Sequence, residues 1–573
     1  MSSEAYIKHE TAYEAGTLTM DINMDNLSTA LCAEDYLADK IMAMAKNTLN
    51  VWGCGQIMAY SGIDGETDFD NGIVMRTSFV DFGFDIRLPL NGGNICFASN
   101  AVANNEFVMA GDFFIANGYK LVFIDAWHLL LEGDFTVSPG ESVQILSHGN
   151  RTLVGTKAFF RSELINLDID EIAVSRMKIL NGFPFPGHLS IQSQKTLMKA
   201  YSQLRTMFYS PAGEIKHRWT TPDRWPHRNM WLWDSVFHAI GIRHIDISLA
   251  REALLAVFDL QREDGFIPLC GAPGIATSIT QPPVLALGVK MVNSVNPSRE
   301  FIARLYPRLK RYIEWDMMNR DSDGGGLLEW FIEEHELCRS GESGMDNSPR
   351  FDMATQIDAT DFNSFISLEC EIMAEFATLL ELHDEAERWS EWHKRLNKKI
   401  NERLWNEKQA FYFDYDVSRN CMLDVMACSG FLPLICGAAS SMQAQLLAEH
   451  LYNPKTFGTP LPVPSIAVAS EKFYSKDMWR GPTWMNLNWL IAYGFRRYNM
   501  NHVADMIIEK SIREIEKMYL KYGTFFEFYD DRREVDPPNL YRKANKQPDS
   551  YHQAFHDYGW TATLYIDMIL SGS

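Results

Sequence analysis

Six short stretches of the chain concentrate carboxylates, tryptophans and glycines: residues 228–234 (RNMWLWD), 261–268 (QREDGFIP), 321–330 (DSDGGGLLEW), 342–350 (ESGMDNSPR), 477–484 (DMWRGPTW) and 524–530 (TFFEFYD). An indole face stacks on the apolar face of a sugar ring, while its N–H and nearby carboxylates take up hydroxyls. Cleaving a glycosidic bond needs that combination plus two carboxyl groups, one on each side of the bond. Of the 15 tryptophans, Trp231, Trp233, Trp330, Trp479, Trp484 and Trp560 lie in or beside these loops. Any one loop is an ordinary turn. Their joint occurrence points to a small carbohydrate as the partner.

Other chemistries find little support. His238 and His244 are six apart, wrong for one helical face, and no HExxH occurs. Asp321-x-Asp323-Gly324 resembles half of a calcium loop without its later acidic ligand. Gly324-Gly325-Gly326 lacks the lysine of a phosphate loop. The sequence therefore predicts neither a metal nor a cofactor.

Positioning loops so far apart in sequence requires a closed scaffold. After Leu189 the apolar period is that of helices, over about 191–209, 232–245, 247–262, 280–293, 297–319, 362–382, 384–404, 438–451, 484–497, 499–521 and 553–571. Asn296 before Pro297 reads as a cap for the fifth of these. Eleven or twelve helices with loop-borne chemistry suit an (α/α)6 barrel of six helical hairpins, and no fixed repeat of solenoid length is visible. Residues 49–160 read differently. Short runs rich in Val, Ile, Phe and Tyr at 72–79, 81–88, 94–97, 106–109, 119–124 and 135–137 are separated by turn signals such as Asn91-Gly92-Gly93, Asn117-Gly118 and Pro139-Gly140, which predicts a β-sandwich. Helical spacing over 29–50 precedes it. The predicted organisation is mainly α: a β-rich domain over 1–165, a linker over 166–194 and the barrel over 195–573.

The chain has 573 residues and a net charge of −21, with no basic patch, which argues against nucleic acid and anionic membranes. No uncharged apolar run reaches membrane-spanning length, and the start lacks the features of a secretory signal. Nine scattered cysteines without a CxxC pair read as free thiols in the cytoplasm. Oligomeric state is not legible.

The order Trp233-Asp234, Asp264-Gly265-Phe266, Glu342 to Asn347 (ESGMDN), Trp479 to Trp484 (WRGPTW) and Glu527-Phe528-Tyr529 resembles glycoside hydrolase family 63, which includes processing α-glucosidases and bacterial mannosylglycerate and glucosylglycerate hydrolases. The resemblance covers about residues 195–573. It implies an (α/α)6 barrel and inverting, exo-acting hydrolysis of a small α-glycoside, of α-glucosidase type. It also implies Asp346 as general acid and Glu527 as general base. To stay protonated, Asp346 would need its pKa raised by burial or by a neighbouring carboxylate such as Glu342. By themselves, Asp346 could cap the turn Asn347-Ser348-Pro349 and Glu527 could be the outward residue of a strand. The other candidate substrate-binding residues are Trp233, Asp234, Gln261, Asp264, Trp330, Glu342, Trp479, Arg480, Trp484 and Trp560. Arg480 could grip a catalytic carboxylate or a substrate acid group; Gln261 and Asp264 also read as a plain helix end with Gly265 left-handed. Ahead of ESGMDN, residues 332–341 (IEEHELCRSG) are longer and more charged than in bacterial relatives, so neither glycerate-based substrate carries over. Two alternatives stand beside hydrolysis: an inverting phosphorylase, which has no use for Glu527, and a non-catalytic sugar-binding protein, which needs neither carboxyl.

Overall fold

In the computed structural model, the described residues are 51–544 and 552–571 without 54, 79–81, 104 and 105, together with Ile41, Met44, Ala45, Thr48 and Leu49. The helix expected over 29–50 falls mostly outside them.

The N-terminal region is two antiparallel sheets. The first orders its strands β1 (Ile57–Ala59), β2 (Val74–Ser78), β3 (Gly83–Leu88), β4 (Gly93–Cys96) and β9 (Thr136–Pro139). The second runs β10 (Val143–His148), β11 (Arg151–Thr156), β8 (His128–Gly133), β7 (Tyr119–Asp125), β6 (Phe113–Ala116) and β5 (Phe107–Ala110). The turn 91–93 needs glycine at its end: Gly93 has φ +88°, and a Cβ there would sit 1.9 Å from the Ser138 carbonyl oxygen.

Alternation along the strands of the second sheet gives it two apolar faces. Phe107, Met109, Phe114, Leu121, Phe123, Leu129 and Leu131 pack with Met58, Met75, Phe84 and Ile95 of the first sheet around Trp52. Val108, Phe113, Ile115, Val122, Leu130 and Leu153 face the other way, into the core shared with the helices. The stretch read as a linker joins that core. It contains α1 (Ile169–Asn181), capped by the Asp168 carboxylate on the amides of Asp170 and Glu171 and burying Ile169, Ala173, Met177 and Leu180.

Beyond it, the described helices are α2 (Ile191–Met207), α3 (Leu232–Ile242), α4 (Ile247–Asp259), α5 (Leu285–Val295), α6 (Arg299–Asn319), α7 (Thr360–Leu379), α8 (His383–Leu404), α9 (Ser441–Tyr452), α10 (Met485–Arg497), α11 (Asn501–Tyr522) and α12 (Gly559–Leu570). Each matches a segment expected from sequence, with ends shifted by a few residues. The cap of α6 is Ser298, whose hydroxyl accepts from the Phe301 amide, rather than Asn296.

Composition sorts these helices. Every residue of α3 is buried, as suits a helix apolar on all sides, whereas α8 buries only Trp389, Leu396, Ile400 and Leu404 along one stripe. Contacts follow that division. α3 touches α5, α5 touches α7, and α7 touches a short 3₁₀ helix (Cys428–Leu434); that touches α10, α10 touches α12, and α12 returns to α3. α4, α6, α8, α11 and α2 pack against members of this closed circuit. Neighbouring members are also tied by polar bonds. The Glu369 carboxylate of α7 accepts from the amides of Ala286 and Leu287 in the first turn of α5 (2.7 and 2.9 Å), where burial still pushes its pKa up to about 8. No described helix is long and apolar enough to cross a membrane.

Candidate active site

Four members of the circuit, α3, α5, α10 and α12, begin at or just after residues that line one cavity of about 100 Å³. Trp233 and Asp234 open α3, Gln281 precedes α5, Trp484 immediately precedes α10, and Trp560 opens α12. Asp346 and Glu527 line the same cavity, as do His227, Trp231, Met478, Trp479, Arg542, Lys543 and Tyr558.

Backbone bonds between distant segments bring the sequence motifs together. The Trp479 amide donates to Asn347 Oδ1 (3.0 Å), joining WRGPTW to ESGMDN. Thr483 and Tyr529 exchange both backbone bonds (2.8 and 3.0 Å), and the Glu527 amide donates to the Phe555 carbonyl (3.0 Å). Gly344 has φ +68°, and a Cβ there would lie 2.5 Å from the Trp233 indole, so only glycine lets ESGMDN close on α3.

Aromatic rings set the shape. Trp479 and Trp484 stack in parallel, with centroids 3.8 Å apart and planes 4° from one another; Trp560 stands edge-on to Trp233 at 5.4 Å. Among the described residues, three indole N–H groups on the cavity wall, of Trp231, Trp479 and Trp560, have no protein acceptor, nor does Asp234 Oδ1 have a donor. Buried polar atoms are rarely left so. Clustered here, they offer three donors and one acceptor to a polyhydroxylated ligand. Burial pushes the Asp234 carboxyl well above its ordinary value, partly offset by its own backbone N–H and reinforced by the negative charges of Glu527, Asp223 and Asp346.

The two candidate catalytic carboxyls each carry a cation from adjacent residues. Arg542 grips Glu527 with two parallel bonds, Nε–Oε2 2.8 Å and Nη2–Oε1 3.2 Å. Lys543 Nζ lies 2.6 Å from Asp346 Oδ2. This reverses the expected sign of the Asp346 shift: burial raises its pKa, but Lys543, with help from Arg542 and the Cys338 thiol, outweighs burial and holds it below the usual carboxylate value.

Several expected site residues do not line the cavity. Glu342 is buried and spent on structure: Arg320 grips it at 2.9 and 2.6 Å, and the amides of Phe331 and Thr280 donate to it. It therefore leaves Asp346 to other neighbours. Trp330 stacks on Phe362 at 3.8 Å and donates to Asp361, inside the packing of α7. Arg480 pairs with Asp352, and the grip on a catalytic carboxylate assigned to it belongs to Arg542. The Gln261 side-chain amide donates to the carbonyls of Gly265 and Arg308, and the half-exposed Asp264 pairs with Arg262; both lie in the loop beyond α4, which ends at Asp259, so Gly265 is not the end of that helix. In the glycine-rich loop, Asp321 accepts from the Gly326 amide and Asp323 from the Gly325 amide.

Trp231 was marked only as one of the loop tryptophans, and the cavity residues missed from sequence are His227, Gln281, Met478, Arg542, Lys543 and Tyr558. His227 and Met478 were within reach, beside the RNMWLWD stretch and inside the DMWRGPTW stretch. Gln281, which accepts from the Trp233 amide at 3.1 Å, and the Arg542-Lys543 pair carry no motif that would have marked them.

A cavity walled by indoles, with two carboxyls held by cations, is the furniture of a sugar-cleaving enzyme, and comparison with known proteins specifies which. Residues 227–561 match the family model of the mannosylglycerate hydrolase MGH1-like glycoside hydrolase domain. The chain is 26% identical over 392 residues to a mannosylglycerate hydrolase of Thermus thermophilus, covering 54% of this chain and 91% of that protein. It is 23% identical over 405 residues to a glucosylglycerate hydrolase of Mycolicibacterium hassiacum, covering 54% and 87%. The crystal structure of a GH63 mannosylglycerate hydrolase from Thermus thermophilus in complex with glucose superposes with a TM-score of 0.54 at 24% identity, over 65% of this chain and 99% of that one. The chain belongs to glycoside hydrolase family 63, within the mannosylglycerate hydrolase-like group.

Proposed function

We propose that the protein is an inverting, exo-acting α-glycosidase, of α-glucosidase type, that releases one sugar from a small α-glycoside. In this reading Asp346 gives its proton to the glycosidic oxygen as the C1–O bond breaks. Glu527 takes a proton from the water that attacks C1 from the opposite side. The products are the leaving alcohol and the sugar with inverted anomeric configuration, and both carboxyls are reset by exchange with solvent. Arg542 orients the two oxygens of Glu527 toward that water. Asp234 and the indole N–H groups of Trp231, Trp479 and Trp560 take the hydroxyls of the departing sugar.

The observation that carries the reading is the presence of Asp346 and Glu527 on one indole-walled cavity. The helix contacts that run from α3 round to α12 and back support an (α/α)6 barrel over about residues 195–573, and the two packed sheets within residues 57–156 support the β-rich domain ahead of it. The buried, unpaired thiols of Cys370, Cys428 and Cys436 support a reducing, cytoplasmic setting.

The test is NMR of the anomer released from a panel of α-glucosides and α-mannosides, glucosylglycerate and mannosylglycerate among them. Release of the β-anomer is expected. Release of the α-anomer overturns inversion. Asp346→Asn and Glu527→Gln should each lower kcat by at least about 10²-fold; unchanged turnover in either variant overturns its assignment.

A further inference from the structure

Asp346 meets more than the pocket. Lys543 Nζ is its direct partner, at 2.6 Å, and their side chains are 25% and 20% exposed. Arg542 stands beside Lys543, while Cys338, on the charged segment before ESGMDN, offers its thiol to Asp346 and has Glu333 Oε2 at 4.0 Å. Asp234 and Glu527 face it across the cavity. The Lys543 backbone has φ +61°, a conformation that residues other than glycine adopt uncommonly. An ammonium at this distance stabilises a carboxylate and opposes the protonated acid that leaving-group departure requires.

We propose that Lys543 is a positioning residue that keeps Asp346 ionised while the pocket is empty and releases it when the leaving group of the glycoside takes over the ammonium. The inference rests on the assignment of Asp346 as the acid. Once Lys543 turns to oxygen atoms of the leaving group, the strongest interaction holding Asp346 ionised is gone, and burial, which favours the protonated form, is opposed only by the weaker pulls of Arg542 and the Cys338 thiol. The acid is then armed only with substrate in place. The free enzyme keeps one positive charge for each of its two catalytic carboxylates. Rotation of one side chain is the whole of the movement required.

The test compares the pH dependence of kcat/KM, which reports the free enzyme, with that of kcat, which reports the substrate complex. In the wild type the descending limb of kcat/KM should lie at least about one pH unit below that of kcat. In Lys543→Met it should move up to meet the kcat limb, because burial then governs Asp346 in the empty pocket; Lys543→Arg should keep the gap. A gap that survives in Lys543→Met, or no gap in the wild type, overturns the proposal. Turnover unchanged in Asp346→Asn overturns the acid assignment instead, so the two failures are separable. Aryl glycosides with a good leaving group supply an internal control: needing little proton donation, they should respond to Lys543→Met at least about tenfold less than alkyl glycosides do.

Discussion

The wall of the cavity formed by Trp233, Asp234 and Trp560 stands on helix starts, whereas Asp346 and Lys543, on the side we assign to the leaving group, lie outside helices, with the segment 331–341 packed behind Asp346. Trp233, Asp234 and Trp560 sit in first helical turns, and each is fixed by the packing of a helix buried along nearly all its length. Asp346, by contrast, is wrapped by a loop whose Arg339 and Ser340 amides donate to its carbonyl, and it is met by a lysine from another loop. The contrast teaches a division of labour. On the proposed reading, recognition of the ring would rest on elements that cannot shift singly, and discrimination among leaving groups on segments whose side chains can rearrange without disturbing the helices.

Four substitutions test that division, from the largest expected effect to the smallest. Asp234→Ala, which removes the buried acceptor for sugar hydroxyls, should lower kcat/KM by about 10²-fold for every leaving group alike, as lost buried hydrogen bonds do; a loss that varies with leaving group would break the comparison. Arg542→Lys replaces a two-pronged grip on Glu527 with a single point charge and should cost about tenfold in kcat with little change in KM. Cys338→Ser should alter the ranking of leaving groups by a few-fold while leaving glucose-against-mannose preference unchanged; a shift in sugar preference would show that the two sides are not separate.

The smallest effect is on stability. Glu369 titrates at about 8 when folded, against an ordinary value of 4.5, so the folded protein binds more protons across that window and loses stability as pH rises through it. Glu369→Gln should flatten that decline, read as Tm against pH, without altering which glycosides are cleaved.

The same division explains what was legible in the sequence. The helices were, because each has to bury at least a stripe at period 3.6, and all eleven expected after Leu189 are present. The 3₁₀ segment Cys428–Leu434 completes the circuit of inner contacts but is too short to show a period. Among the strands of the two N-terminal sheets, β1, β6, β8, β10 and β11 were not singled out. The exposed positions of β10 and the double-sided burial of β8 blur simple alternation. Within the site, residues in dense motifs such as Asp346 and Trp484 stood out. Trp330, Glu342 and Arg480 stood out as well, yet they brace the motifs from behind, a distinction that depends on which way a side chain points. Arg542 and Lys543 were invisible because two adjacent basic residues in a polar stretch resemble any solvated surface; only folding reveals that each meets a carboxylate.

The first strand of the sandwich enters the helical region beside the two segments that carry Glu527 and Trp560. The Ile57 amide donates to Asp557 Oδ2 at 2.5 Å, and the Gln56 side chain donates to the Gly523 carbonyl at the same distance. Asp557 is held in turn by Lys199 of α2, and its own amide donates to Thr524 Oγ1. The sandwich thus acts as a keystone for the chain on either side of the cavity. A helical portion excised from it would lose the clasp next to Glu527 before it lost any indole of the wall, so an inactive fragment with native helix content is the expected product of such a cut.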